Sequence, residues 1–156
     1  MKLMPLVLII NLLLSFSAQS YEVGDVIDKD IARQLNVPAG KIAVVDFFAS
    51  WCASCAKEVP GIKRFIKQDV DKKAQVIGVD VDEVLEDGLI FQKNLGVDFT
   101  VINDTEQKII GAFSPIGMPA LYYIVDNKVV GKRIGAIHKI DEQIKKDLLS
   151  FGVEVK

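Results

Sequence analysis

The stretch VVDFFASWCASCAKEVP (44–60) contains both cysteines of the 156-residue chain, Cys52 and Cys55. The two thiols stand three positions apart and follow the run IAVVDFF (42–48), which is apolar except for Asp46. Such a run is typical of a strand that is covered on both faces, as in a parallel sheet. After Cys55 the apolar residues recur at helical spacing, so we expect the cysteines to lie where a buried strand passes into a helix.

This position favours redox chemistry for the cysteine pair. The first turn of a helix has free N–H groups and a partial positive charge, and both stabilise an anion. We therefore expect a lowered pKa for the Cys52 thiol, which would make Cys52 the attacking thiolate. Cys55 lies one turn further on the same face and would resolve the mixed disulfide that forms on Cys52. Two thiols carry two electrons, so this chemistry requires no metal and no organic cofactor.

Four other interpretations of the cysteine pair stay open at this point. A zinc site needs four ligands, whereas the chain offers two cysteines and one distant histidine, His138. A structural disulfide across two residues would constrain little of the unfolded chain. The pair could also be two unreactive buried thiols. Finally, the protein could be a copper carrier that binds the metal through Cys52, Cys55 and His138.

Asp46 is unusual because a carboxylate inside an apolar strand is costly unless it is paired or neutral. It lies six residues before Cys52, and the even interval places it on one face of the strand, beneath the helix that carries the cysteines. Burial should raise its pKa, and a carboxyl with a raised pKa could accept the proton of Cys55. The alternative is a structural aspartate paired with Lys57. Glu58 is expected to orient Lys57 or to face solvent.

The rest of the chain alternates between strand and helix patterns. We predict strands at 42–48, 75–81, 99–104, 120–126 and 128–135, and helices at 28–35, 53–70, 83–95, 106–113 and 139–151. The alternation predicts an α/β domain with a mostly parallel sheet and helices on both faces, and Asp126-Asn127 predicts a final hairpin. The formal net charge of −2, without a block of like charges, argues against nucleic acid as a partner.

The first twenty residues have the composition of a secretory signal peptide. Lys2 gives a positive start, 6–14 is apolar apart from Asn11, and Ala18 and Ser20 suit a cut after Ser20. We therefore predict a signal peptide at 1–20 and one folded domain at 21–156. An uncleaved segment that anchors the protein to the membrane is the alternative. Export would place the cysteines in a compartment that permits disulfides.

Taken together, these residues resemble the thioredoxin superfamily. VVDFFASWCASC (44–55) looks like its active-site segment, Pro60 matches its helix proline, and GMPALYYIVDNKVVGKRIGA (117–136) resembles its cis-proline strand and hairpin. The resemblance implies that Pro119 is cis and packs against the cysteine pair. It also implies that Trp51 forms a platform beside the reactive sulfur and that Met118 presents its backbone to a bound peptide.

Two features resemble the TlpA/ResA/CcmG-like group within that superfamily. CAKEVP (55–60) matches its Cys-x-x-Glu-x-Pro pattern, and 83–102 looks like its central helix-strand insert. The resemblance implies an exported or membrane-tethered thiol-disulfide oxidoreductase whose substrates are protein disulfides, including those of apocytochrome c. Its electrons would come from a membrane reductase of the DsbD/CcdA kind. Because Ala53 and Ser54 bring no positive charge to the thiolate, we expect a periplasmic reductase rather than a strong oxidant. The sequence contains no evident dimerisation segment, so we expect a monomer.

Overall fold

The computed structural model describes residues 20–155. Five strands and five helices follow one another in the order that the sequence predicts, and most predicted boundaries lie within two residues of the observed ones. The elements are α1 (Lys29–Leu35), β1 (Ile42–Phe48), α2 (Ala53–Gln68), β2 (Ala74–Asp80), α3 (Leu85–Asn94), β3 (Thr100–Asn103), α4 (Lys108–Phe113), β4 (Ala120–Val125), β5 (Lys128–Ile134) and α5 (Ile140–Ser150).

The strands form one mixed sheet in the order β3-β2-β1-β4-β5. β1 is the central strand, parallel to β2 and antiparallel to β4, while β3 extends the parallel part and β5 the antiparallel part. Asp126 and Asn127 link β4 to β5 with positive φ values of 48° and 63°. Short polar side chains tolerate this left-handed backbone, which two-residue hairpin turns require. The predicted α/β fold with a final hairpin is confirmed, but the sheet is mixed rather than mostly parallel, because β4 also pairs antiparallel with β1.

Helices cover both faces of the sheet, and the alternation of side chains along β1 divides the core in two. Even-numbered residues of β1 pack with α2 and α5 in a cluster that includes Ile42, Val44, Ile62, Phe65, Ile140, Ile144 and Leu148. Odd-numbered residues pack with α1 and α4 in a second cluster that includes Ala43, Val45, Phe47, Ile31, Leu35, Ile109 and Phe113. Because β1 is buried on both faces, its sequence shows no polar alternation.

The predicted insert is the segment that contains α3 and β3, between β2 and α4. β3 pairs with β2 and forms one edge of the sheet. Phe91 of α3 packs on Phe48 at the end of β1, with a distance of 5.8 Å between ring centroids. α3 therefore covers the end of the sheet from which the chain enters α2.

The predicted signal peptide at 1–20 lies almost entirely outside the described residues. Across 20–155, no helix combines the length and the apolar composition needed to cross a membrane.

Candidate active site

Cys52 and Cys55 form a disulfide at the start of α2, with a distance of 5.3 Å between their Cα atoms. Cys52 is the residue that caps the helix, and Cys55 lies in the first turn. The Cys55 N–H donates to Cys52 Sγ across 3.3 Å. One of the free N–H groups of this helix end, that of Cys55, therefore points at the sulfur of Cys52.

Asp46 lies in β1, on the same face of the sheet as α2. It is 3% exposed, and in the part of the chain that the structure describes its Oδ1 is a buried side-chain oxygen without a hydrogen-bond partner. Burial raises the pKa of Asp46 well above its ordinary value, and the negative charge of Glu58 raises it further. The Asp46 carboxylate therefore binds a proton more tightly than an ordinary aspartate does. Lys57, the alternative partner, is exposed.

Glu58 is the site residue whose environment the sequence analysis predicts wrongly. Its side chain does not face solvent: the residue is 5% exposed, and its carboxylate accepts a hydrogen bond from the Ile137 N–H. Burial raises the pKa of Glu58 to about 7, although the Ile137 hydrogen bond acts in the opposite direction. One signal was present in the sequence, because Glu58 lies three positions after Cys55 and four before Ile62, on the buried face of α2.

Two buried carboxyl groups thus accompany the disulfide. Asp46 comes from the sheet and Glu58 from the helix that carries the cysteines, and the charge of Glu58 raises the cost of ionising Asp46. Glu58 is near the midpoint of its titration at neutral pH, so it can take up or release a proton there.

The remaining predicted residues frame the disulfide. Trp51, directly before Cys52, is 66% exposed. The bond between Met118 and Pro119 is cis, as the resemblance implies, and Met118 packs against a small apolar cluster formed by Phe48 and the two cysteines. Met118, two residues before β4, therefore packs against a largely buried disulfide, and the exposed ring of Trp51 directly precedes that disulfide in sequence.

His138 is exposed in the segment before α5. Within 20–155 no three His, Cys, Asp or Glu side chains are grouped so that they could hold a metal ion. The copper-carrier alternative therefore receives no support from the described residues.

Comparisons with known proteins agree with this geometry. The AhpC/TSA family matches residues 14–133. Thiol-disulfide oxidoreductase ResA of Bacillus cereus is 33% identical over 135 residues, which cover 86% of this chain and 73% of ResA. Thiol:disulfide interchange protein CycY of Rhizobium leguminosarum bv. viciae is 28% identical over 128 residues, covering 76% of this chain and 67% of CycY.

Solved structures show the same fold. A structure of a thiol:disulfide interchange protein DsbE from Chlorobium tepidum superposes with a TM-score of 0.70 at 23% identity, covering 84% of this chain and 98% of that one. StoA from Bacillus subtilis superposes with a TM-score of 0.63 at 19% identity, over 70% of this chain and 83% of StoA. With a Cys52–Cys55 disulfide at the start of a helix and these relatives, the chain is a thiol-disulfide oxidoreductase of thioredoxin fold that belongs to the AhpC/TSA family.

Proposed function

We propose that this protein is an exported reductase of protein disulfides in which Cys52 is the attacking thiol. The observation that carries the proposal is the position of Cys52 Sγ at the N-terminus of α2, 3.3 Å from the Cys55 nitrogen whose N–H donates to it. In the reduced enzyme the same N–H group would stabilise a thiolate on Cys52. Cys52 is 7% exposed and Cys55 2%, so of the two sulfurs Cys52 is the more accessible to a substrate disulfide.

The reaction is a two-step exchange. The Cys52 thiolate attacks one sulfur of the substrate disulfide, which forms a mixed disulfide and releases the other substrate sulfur as a thiolate that takes up a proton. Cys55 then loses its proton and attacks Cys52 Sγ, which closes the Cys52–Cys55 disulfide and releases the second substrate thiol. Two electrons pass from enzyme to substrate, and the substrate gains two protons.

The buried carboxyl groups serve the second step. Cys55 has to lose a proton in an environment that water hardly reaches, so a nearby base lowers the barrier. We assign this role to Asp46, with Glu58 as the neighbouring carboxyl that sets its proton affinity. Trp51 and the Met118–Pro119 segment would bind the polypeptide on either side of the substrate disulfide, and an extended chain could pair with the backbone of Met118.

The cellular setting that we propose is based on the sequence. Residues 1–20 would direct export to the periplasm and be removed, or stay as a membrane anchor, leaving 21–156 as the working domain. The reduced form would be regenerated by a membrane electron donor of the DsbD/CcdA kind. Ala53 and Ser54 add no charge to the site, which favours a reductase over a strong oxidant. We expect the protein to act as a monomer. Apocytochrome c is one protein substrate that suits this role.

Measuring the reduction potential against glutathione, together with turnover on a protein disulfide, tests the proposal. We expect a potential well below the strong-oxidant value of about −120 mV, and a value near it would overturn the reductase assignment. Cys52→Ser should abolish turnover. Cys55→Ser should accumulate a mixed disulfide with the substrate, and the trapped partners in an extract would identify the natural substrates. Turnover that survives Cys52→Ser would exclude Cys52 as the attacking thiol.

A further inference from the structure

The segment before Cys52 is tied to the loop that follows β2. β1 and β2 are parallel and in register, with Phe48 opposite Asp80 at their carboxyl ends. The Val81 N–H donates to the Phe48 carbonyl across 2.9 Å, so the two loops leave the sheet side by side. Ser50 and Asp82, each two residues beyond the end of its strand, therefore meet.

Asp82 binds Ser50 through both carboxylate oxygens. Oδ2 accepts the Ser50 N–H at 2.7 Å, and Oδ1 accepts the Ser50 hydroxyl at 2.7 Å. Asp82 is 6% exposed, so little water competes for these bonds. Hydrogen bonds to an ionised group are among the stronger ones in proteins, and two of them fix both the position and the orientation of Ser50.

Asp82 is held in turn by the insert. Its own N–H donates to Asp80 Oδ1 at 3.0 Å, and Asp80 Oδ2 accepts from Gln92 of α3 at 2.7 Å. α3 lies so close that a Cβ added to Gly88 would come within 2.6 Å of Asp80 Oδ2. A continuous series of hydrogen bonds therefore leads from α3 through two buried aspartates to the residue that precedes Trp51 and Cys52.

We propose that Asp82 is a positioning residue for Cys52: by fixing Ser50 it keeps the reduced Cys52 sulfur over the N-terminus of α2. In the oxidised protein the bond to Cys55 holds Cys52 in place. Reduction breaks that bond, and the Ser50–Asp82 contact then restrains the short segment before the helix, together with the hydrogen bond that the Cys52 N–H donates to the Ala49 carbonyl at 3.1 Å. This role rests on Cys52 being the attacking thiol and goes beyond it, because it assigns a function to the insert.

The test separates position from charge. Asp82→Asn removes the charge but keeps an oxygen for the Ser50 N–H and an amide that can donate to the Ser50 hydroxyl, whereas Asp82→Ala removes charge and contact together. Both are made in the full chain with Cys55→Ser, so that Cys52 is the single thiol, and the rate of Cys52 alkylation is measured from pH 5 to pH 9. Glu83→Gln, an exposed neighbour, serves as the charge control.

We expect Asp82→Ala to react about threefold more slowly than Asp82→Asn at pH 6, because loss of a charge-assisted contact is only partly transmitted to the sulfur. The two variants carry the same charge, so equal alkylation rates across the pH range would overturn the positioning role. If Asp82→Ala fails to fold, the Ser50 side replaces it: Ser50→Ala should slow alkylation and Ser50→Thr should restore it, and equal rates for the two would overturn the proposal. Substrate turnover by the unmodified chain is measured alongside, since its absence would instead refute the proposed function.

Discussion

Replacing Glu58 by glutamine should make the protein more stable at alkaline pH. The pKa of the buried Glu58 carboxyl is about 7, against an ordinary value of 4.5, so the folded state favours the protonated acid. Its contribution to stability is fully present below pH 4.5 and is lost as the pH rises through 7. By linkage the difference corresponds to about 2–3 kcal/mol between pH 5 and pH 8, the lower value allowing for screening by solvent.

Glutamine removes this ionisation while its amide oxygen can still accept the Ile137 N–H. It also removes the charge that raises the pKa of Asp46, an effect of the same sign. The free energy of unfolding of the oxidised protein is measured by urea denaturation at pH 5 and pH 8, since the disulfide leaves no thiol to titrate. We expect the advantage of Glu58→Gln over the unmodified chain to grow by about 2–3 kcal/mol between the two pH values.

Glu83→Gln provides the matched control, because Glu83 is exposed on the same domain. Its effect on stability should be the same at pH 5 and pH 8 within about 0.5 kcal/mol. If Glu58→Gln also shows no pH-dependent gain, the Glu58 carboxyl does not ionise near pH 7 in the folded protein. The proposal that the charge of Glu58 sets the proton affinity of Asp46 would then be wrong.

Three further predictions concern buried residues of the domain. Asp46→Asn should raise the stability of the oxidised protein at pH 7, since burial disfavours the carboxylate, and should slow release of the mixed disulfide by at least about tenfold. Unchanged release in stopped-flow would remove Asp46 from the mechanism. Burial raises the pKa of Asp147, but hydrogen bonds to its carboxylate, above all the one from Arg133, have the larger effect and hold the pKa below its ordinary value of 3.8. Asp147→Ala should therefore cost about 3 kcal/mol at pH 7, and urea titrations at falling pH should show the cost shrinking as the carboxyl of the unmodified chain is protonated. Gly61→Ala places a Cβ in steric conflict with Ile140 Cγ2, so despite alanine's better helix propensity it should lower stability by about 1–3 kcal/mol. An unchanged Tm would show that α2 and α5 can move apart to accommodate the methyl group.

Local patterns in the sequence were sufficient for the architecture. The apolar run 42–48, the helical spacing after Cys55 and the Asp126-Asn127 turn each depend on residues close together in the chain, and the elements they predict are present. The same holds for the position of Cys52, because the junction of a buried strand and a helix is a local feature. The burial of Asp46 also followed from its place in an apolar strand.

Contacts between distant segments decided the rest of the site. Glu58 is buried because the backbone of Ile137, 79 positions away, supplies a donor to its carboxylate. Asp82 holds Ser50, 32 positions earlier, because β1 and β2 run parallel and in register, so that their loops emerge together. A side chain's own neighbours in sequence specify which face of an element it occupies, but not which partner the fold brings to that face. For a carboxyl group the partner and the loss of water determine the charge state, and both arise only when the chain has packed.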